Sequence, residues 1–187
     1  MTEILHQGSF GLMILAATIS VVVSVERLIF SSVNMSRAKK LLETIDQDPG
    51  HLPAGLGRDV VSEMVDSLLQ DKARGLSAQA LEGRADAAYL HARDQLSNRL
   101  WLLDTIVTAA PLMGLLGTIF GIVDTFLTLS RSGMSDPAGV SAGIGTALYA
   151  TALGISIALI GLMVFNFLSD RNERIGERLK ILILKLS

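Results

Sequence analysis

Two stretches of this 187-residue chain place hydroxyl groups on glycine-lined helical faces inside apolar sequence. In the first, Thr108, Pro111, Gly114, Thr118, Gly121 and Thr125 recur at steps of three or four. In the second, Gly143, Ala147, Thr151, Gly154, Ala158 and Gly161 do the same. Small residues at this spacing let helices approach closely in lipid, which is the plain reading of Gly114, Gly117, Gly121, Gly154 and Ala158. The threonines admit two readings. A buried Thr can satisfy its hydroxyl on its own backbone carbonyl four residues back. The same hydroxyl facing an aqueous pore would offer oxygen to an ion or a water chain. Thr118 and Thr151, near mid-segment, suit either role.

What is missing beside these hydroxyls matters as much. No Asp, Glu, Lys, Arg or His lies in the middle of either stretch, although a proton carrier within a membrane normally needs an ionisable group. Asp104 and Asp124 are twenty residues apart, about 30 Å along a helix axis, so they mark the two ends. Asp104 reads as a solvated helix-end carboxylate, and Asp124, after glycine and hydroxyl residues, could attract ions at an outer mouth. Either the chain conducts nothing or a partner supplies the carboxylate. The sequence carries no G-x-S-x-G, no H-E-x-x-H and no phosphate-binding glycine loop, so no enzyme is expected. With no cysteine and with His6, His51 and His91 scattered, no metal site and no cofactor is expected either.

The elements that must position these residues are membrane helices. About 20 apolar residues cross the ~30 Å hydrocarbon core. Three segments meet that need: Gln7–Phe30, where Glu26 and Arg27 would anchor the inner end by snorkelling, then Thr105–Leu129 and Val140–Leu168. No basic residue precedes the first and no small-residue cleavage site follows Val25, so it reads as a span and not as a signal peptide. Of sixteen Lys and Arg, ten lie between Arg27 and Arg99, five between Arg171 and Lys185, and only Arg131 in the 130–140 connection. Basic residues mark the cytoplasmic side, which sets the amino terminus outside, the central segment inside, the short connection outside and the carboxyl terminus inside.

Composition agrees. Half of the residues are hydrophobic, 18% are charged, and mean hydropathy is +0.48, more apolar material than a soluble domain of this size needs. The net charge of −2, without a basic tract, gives no sign of nucleic-acid binding. The central segment reads as helices: 34–47 continuing the first span, a break over 48–55, and an amphipathic stretch Arg58–Arg74 with Val61, Val65, Leu68 and Leu69 on one face. A second break at Gly75 precedes a helix capped by Ser77, which is expected to run unbroken through Trp101 into the second span. After Asp170, Ile175, Leu179, Leu182 and Leu186 repeat the amphipathic theme.

The run Ala110-Pro111-Leu112-Met113-Gly114-Leu115-Leu116-Gly117-Thr118-Ile119-Phe120-Gly121-Ile122 resembles the signature of the MotA/TolQ/ExbB proton-channel family, roughly A-P-x-x-G-L-L-G-T-V-x-G-I. The stretch from Ile144 to Gly154 resembles the family's I-x-x-A-L-x-x-T-x-x-G, and Phe165-Asn166-Phe167 its Y-N-x-F. The resemblance implies a homo-oligomeric ring, usually a pentamer, around a single-span partner of the ExbD/TolR/MotB type whose membrane aspartate carries the proton. It also implies that Thr118 and Thr151 line the ion path and that Pro111 shapes the helix beside it. Relatives of the ExbB and TolQ kind carry Glu where this chain has Thr146, and a proline near Ile160; MotA relatives have two further helices. Oxygens of Thr146, Tyr149 and Thr151 would suit sodium as well as a proton path.

The expectation is therefore an all-α protein of the bacterial cytoplasmic membrane with three transmembrane helices, its amino terminus outside, and long helices extending into a cytoplasmic bundle. Residues 1–33 would form the outer tail and first span, 34–100 a cytoplasmic helical region, 101–168 the second and third spans with a short outer loop, and 169–187 an amphipathic carboxyl-terminal helix. The expected work is ion-driven, within a complex acting on the envelope or on transport. The alternative is a membrane scaffold that passes no ions.

Overall fold

The computed structural model describes residues 2–47, 57–132 and 137–186. Regular structure among them is α-helical throughout: α1 (Thr2–Gln47), α2 (Val60–Ala73), α3 (Ala78–Ser97), α4 (Leu100–Ser132) and α5 (Pro137–Leu186). Stretches long and apolar enough to cross a membrane lie within Phe10–Gln47, Ala78–Ser130 and Pro137–Leu186, which accounts for the three expected spans. Only 22, 28 and 17% of their apolar windows are buried within the chain. Ile14, Val21, Leu112, Ile160 and Met163 are accordingly exposed. Exposing such surface to water is unfavourable by about 25 cal/mol per Å², whereas hydrocarbon solvates it without penalty. The expected break over 48–55 falls outside the described residues, as does the middle of the 131–139 connection.

The chain divides into two compact units. Unit 1 comprises Met1–Ser24 and Trp101–Phe165, that is, the start of α1, nearly all of α4 and the first part of α5. Its interior is made of small and medium side chains: Ile106, Ala110 and Ala158 are buried, with Ala16 and Ile157 against them.

Unit 2 comprises Val25–Leu100 and Asn166–Ser187. It has a conventional aliphatic core in which Leu41 and Ile45 of α1, Val61, Val65 and Leu68 of α2, Leu96 of α3, and Ile175, Leu179 and Leu182 of α5 are buried together. The tail periodicity thus packs into the chain's own bundle, on a helix that continues α5 without interruption to Leu186. Asp59 caps α2: its carboxylate accepts from the Ser62 N–H at 3.0 Å, from the Ser62 hydroxyl at 2.8 Å and from Arg37 Nε at 3.1 Å. Gly75 takes φ +71 between α2 and α3, a backbone that glycine adopts without steric cost. Ser77 then caps α3 as expected. Lys72 donates to the Leu186 carbonyl at 2.7 Å, and Lys185 pairs with Asp46, fastening the ends of the bundle.

Two expectations are corrected. The helix from Ser77 does not run through Trp101. It stops at Ser97, and Arg99 adopts φ 65 before α4 begins. The turn is held by Glu26, both of whose oxygens accept from Arg99 Nη1 at 2.7 Å. Nor does Arg27 snorkel: it is buried, its guanidinium lying 4.7 Å from the centre of the Phe30 ring.

Replacing Asp59 by Ala removes the cap of α2 and its tie to Arg37. Loss of such a cap is expected to destabilise unit 2 by about 1–2 kcal/mol, read as a lower thermal midpoint of the helical signal in detergent. An unchanged midpoint would show that the cap contributes nothing.

Candidate functional site

Within unit 1, α4 and α5 run antiparallel and meet along a seam of small residues. A Cβ built on Gly114 would stand 2.8 Å from the Ala150 carbonyl oxygen and 3.0 Å from Thr151 Cα; one on Gly154 would stand 2.5 Å from the Ala110 carbonyl oxygen and 3.1 Å from Gly114 Cα. Here backbone touches backbone, and no side chain fits at either position. Gly143 lies against the Thr125 hydroxyl at one end of the seam, and a Cβ on Gly161 would reach Val107 Cγ2 at 3.0 Å at the other. Gly117, Gly121 and Ala158 are also buried. All the residues read as packing residues therefore lie on buried faces.

Close approach of the backbones brings two hydroxyls together. Thr118 and Thr151 share a hydrogen bond. Thr118 Oγ1 also lies 3.1 Å from the Gly114 carbonyl oxygen and 3.2 Å from that of Ala147, while Thr151 Oγ1 lies 3.1 Å from the Gly114 carbonyl. Each hydroxyl has one proton to donate and two lone pairs to accept with. Three arrangements satisfy the pair: Thr118 donates to Thr151, which donates to Gly114, or Thr151 donates to Thr118, which donates to Gly114 or to Ala147. Rotating two hydroxyls interconverts them. The pair can thus reverse the direction of its hydrogen bonds without moving a heavy atom, but neither hydroxyl can hold a proton at neutral pH. Both threonines are only half-buried, so a group from outside the chain can approach.

The other expected residues are distributed differently. Pro111 sits inside α4, half-buried, and removes the N–H that would bond the carbonyl four residues earlier. Thr146 and Tyr149 are exposed on another face of α5, and the Thr146 hydroxyl bonds the Gly143 carbonyl at 2.8 Å. The structure does not bring them to the Thr118–Thr151 pair. Asp124 is half-buried and Asp104 exposed. Thr108, read as part of the α4 stripe, is exposed and bonds the carbonyls of Asp104 and Thr105 at 3.1 and 3.0 Å. Steps of three and four do not average 3.6 over so short a run, and the stripe drifts off the seam at that end. Among the described residues no group of three or more His, Asp or Glu could hold a metal ion. Sequence reasoning missed Arg99, whose bond to Glu26 spans 73 positions and leaves no local signal.

Comparison with known proteins bears on the same seam. The profile of a family described as the MotA/TolQ/ExbB proton channel family matches residues 57–181. The biopolymer transport protein ExbB of Aquifex aeolicus is 38% identical over 74 residues, 40% of this chain and 50% of the relative. ExbB of Helicobacter pylori is 36% identical over 87 residues, 46% of this chain and 60% of the relative. The Tol-Pal system protein TolQ of Haemophilus influenzae is 38% identical over 84 residues, 45% of this chain and 37% of the relative. The matches span between about a third and three-fifths of these relatives' length.

Putting Ala at Gly154 forces α4 and α5 apart, because the obstacle is a carbonyl oxygen and not a flexible side chain. Overpacking of this kind costs about 1–3 kcal/mol. Gly145, by contrast, has nothing within 4 Å of the place a methyl group would take, so Gly145→Ala is expected to be neutral or slightly stabilising in a helix. Melting of the two variants in the same detergent checks the contrast.

Proposed function

The chain belongs to the MotA/TolQ/ExbB proton channel family, and on that premise we propose that it is the ring-forming subunit of an ion-driven complex in the bacterial cytoplasmic membrane. In this reading several copies, five by family analogy, surround the transmembrane segment of a single-span partner of the ExbD/TolR/MotB type. The amino terminus faces outward and unit 2 lies in the cytoplasm, as the distribution of Lys and Arg supports. Ion flow down its gradient then does mechanical work on the envelope or on transport.

The observation that carries the reading is the Thr118–Thr151 pair: two half-buried hydroxyls, hydrogen-bonded to each other and to seam carbonyls, in spans whose interior holds no ionisable side chain. A reversible hydroxyl pair can hand on a hydrogen bond but cannot store a proton. The storing group is therefore assigned to the partner, as an aspartate within its membrane segment. Thr146 and Tyr149, exposed on another face of α5, stand apart from this pair; Asp124 would gather cations at the outer mouth. Pro111 supports the path by loosening the backbone of α4 one turn from Gly114. The rival reading is a scaffold that assembles without passing ions.

Co-expression with the single-span partner in membrane vesicles, with proton and sodium uptake measured separately, distinguishes the two. Thr118→Val and Thr151→Val keep side-chain volume and delete one hydroxyl each. Losing a hydrogen bond worth about 1.5 kcal/mol corresponds to about tenfold in rate, so each variant should lower flux by about that factor. The double variant should lose much less than the product of the two, because the pair acts as one unit. Undiminished flux in both single variants would favour the scaffold.

A further inference from the structure

On α3, Tyr89, Arg93 and Ser97 recur at every fourth position; on α5, Glu173, Glu177 and Lys180 follow one another by a turn, with Asn172 and Gly176 beside them. Such spacing gathers each set on one side of its helix. Unit 2 brings the two sides together. The Asn172 amide donates to the Leu96 carbonyl at 2.8 Å, and the Lys180 ammonium lies 5.4 Å from the centre of the Tyr89 ring. The Tyr89 hydroxyl lies against Gly176, where an added Cβ would stand 3.4 Å from it. Between α3 and α5 these residues line a cavity of about 470 Å³, a size typical of small-molecule sites.

The lining holds two carboxylates, Glu173 and Glu177, and two cations, Arg93 and Lys180. Elsewhere in unit 2, Arg37, Arg84, Arg99 and Arg174 pair with Asp59, Asp71, Glu26 and Asp170. In the cavity the opposite charges share one space, yet among the described residues none of the four is in an ion pair. Lys180 is turned to the Tyr89 ring, a cation–π contact. The guanidinium fork of Arg93 is left without a carboxylate. Glu173 and Glu177, one turn apart on α5, repel each other. Beside them the Asn172 Oδ1 is buried without a hydrogen-bond partner, and a buried acceptor calls for a donor.

This lining selects by charge. A simple anion drawn to Arg93 would meet two carboxylates, and a simple cation drawn to the carboxylates would meet Arg93 and Lys180. A molecule bearing both charges satisfies both sets. A primary ammonium brings three N–H donors, which suits two carboxylates and an amide oxygen. A guanidinium fork matches a pair of phosphate oxygens, and the Ser97 hydroxyl, one turn along α3 and also lining the cavity, offers a further donor to a tetrahedral oxyanion. We propose that the cavity binds a zwitterion of the phosphoethanolamine kind, its ammonium against Glu173, Glu177 and Asn172 and its phosphate against Arg93 and Ser97. The headgroup of phosphatidylethanolamine and a free solute both carry that chemistry. The cavity lies wholly within unit 2, and binding there requires no ion flow.

The full chain, purified in detergent and stripped of lipid, is titrated calorimetrically with glycerophosphoethanolamine and, separately, with a short-chain phosphatidylethanolamine in the same micelles. Glycerophosphocholine and the matching phosphatidylcholine keep the phosphate but lack the N–H donors; glycerol phosphate lacks the ammonium altogether. An ethanolamine probe should bind at least about tenfold more tightly than its choline counterpart and than glycerol phosphate. Equal binding of the free and lipid forms supports the site with a solute as sufficient ligand; binding of the lipid form alone supports it with the headgroup as ligand. Arg93→Gln and the double variant Glu173→Gln/Glu177→Gln should each weaken binding about tenfold, whereas Glu82→Gln, at an exposed carboxylate of α3 outside the cavity, should not. The proposal is overturned by no binding of either ethanolamine probe, by affinity equal to that of the comparison probes, or by binding unmoved in both cavity variants. The probe comparison uses the unaltered chain, so misfolding of a variant cannot mask the answer.

Discussion

The contact of backbone with backbone at Gly114 and Gly154 governs the rest of unit 1. In lipid, helices gain nothing by hiding apolar surface from each other, since the solvent is equally apolar; close packing and polar contacts must hold them. Two facing glycines remove the side chains that would keep α4 and α5 apart. Only then can Thr118 reach Thr151, and both reach carbonyls of the seam. The hydroxyl pair is thus a product of the glycines: Thr118 reaches the carbonyl four residues back on its own helix, and Thr151 reaches the same Gly114 carbonyl from the facing helix.

Unit 2 is built on a different principle. Its core is aliphatic, its α2 and α3 are short and capped, and its charges pair across elements, as Arg37 does with Asp59 and Arg84 with the buried Asp71. On α1, the buried Arg27, Ser31 and Asn34 precede the apolar Ala38, Leu41 and Ile45 of that core. The left-handed turn at Arg99 is tied to α1, because the arginine that breaks the helix also engages Glu26. One side chain therefore sets a helix boundary and neutralises a carboxylate.

Legibility from sequence followed the range of the interactions. Three apolar segments, the cap at Ser77, the break at Gly75 and the aliphatic stripe Ile175–Leu179–Leu182 depend on neighbours within a few residues, and the chain displays them openly. The glycine and threonine stripes were visible as well, although their period alone could not say that Thr118 faces Thr151 while Thr146 and Tyr149 lie elsewhere on the same helix. The turn at Arg99 and the burial of Arg27 were not legible. Each depends on partners brought together by folding, and Asn98-Arg99 carries neither glycine nor proline to announce a break. Positively charged residues suggested snorkelling for Arg27, but the aromatic ring of Phe30 covers it instead.

The difference between the two cores has a thermal consequence. Burial of aliphatic surface from water carries a large heat-capacity change, so stability of that origin weakens on cooling as well as on heating. The Gly114–Gly154 seam excludes no water when it forms; its attraction is chiefly dispersion and polar contact, with little heat capacity attached. Near freezing, the Leu and Ile core of unit 2 is the part that softens, and the glycine seam is the part that keeps its grip.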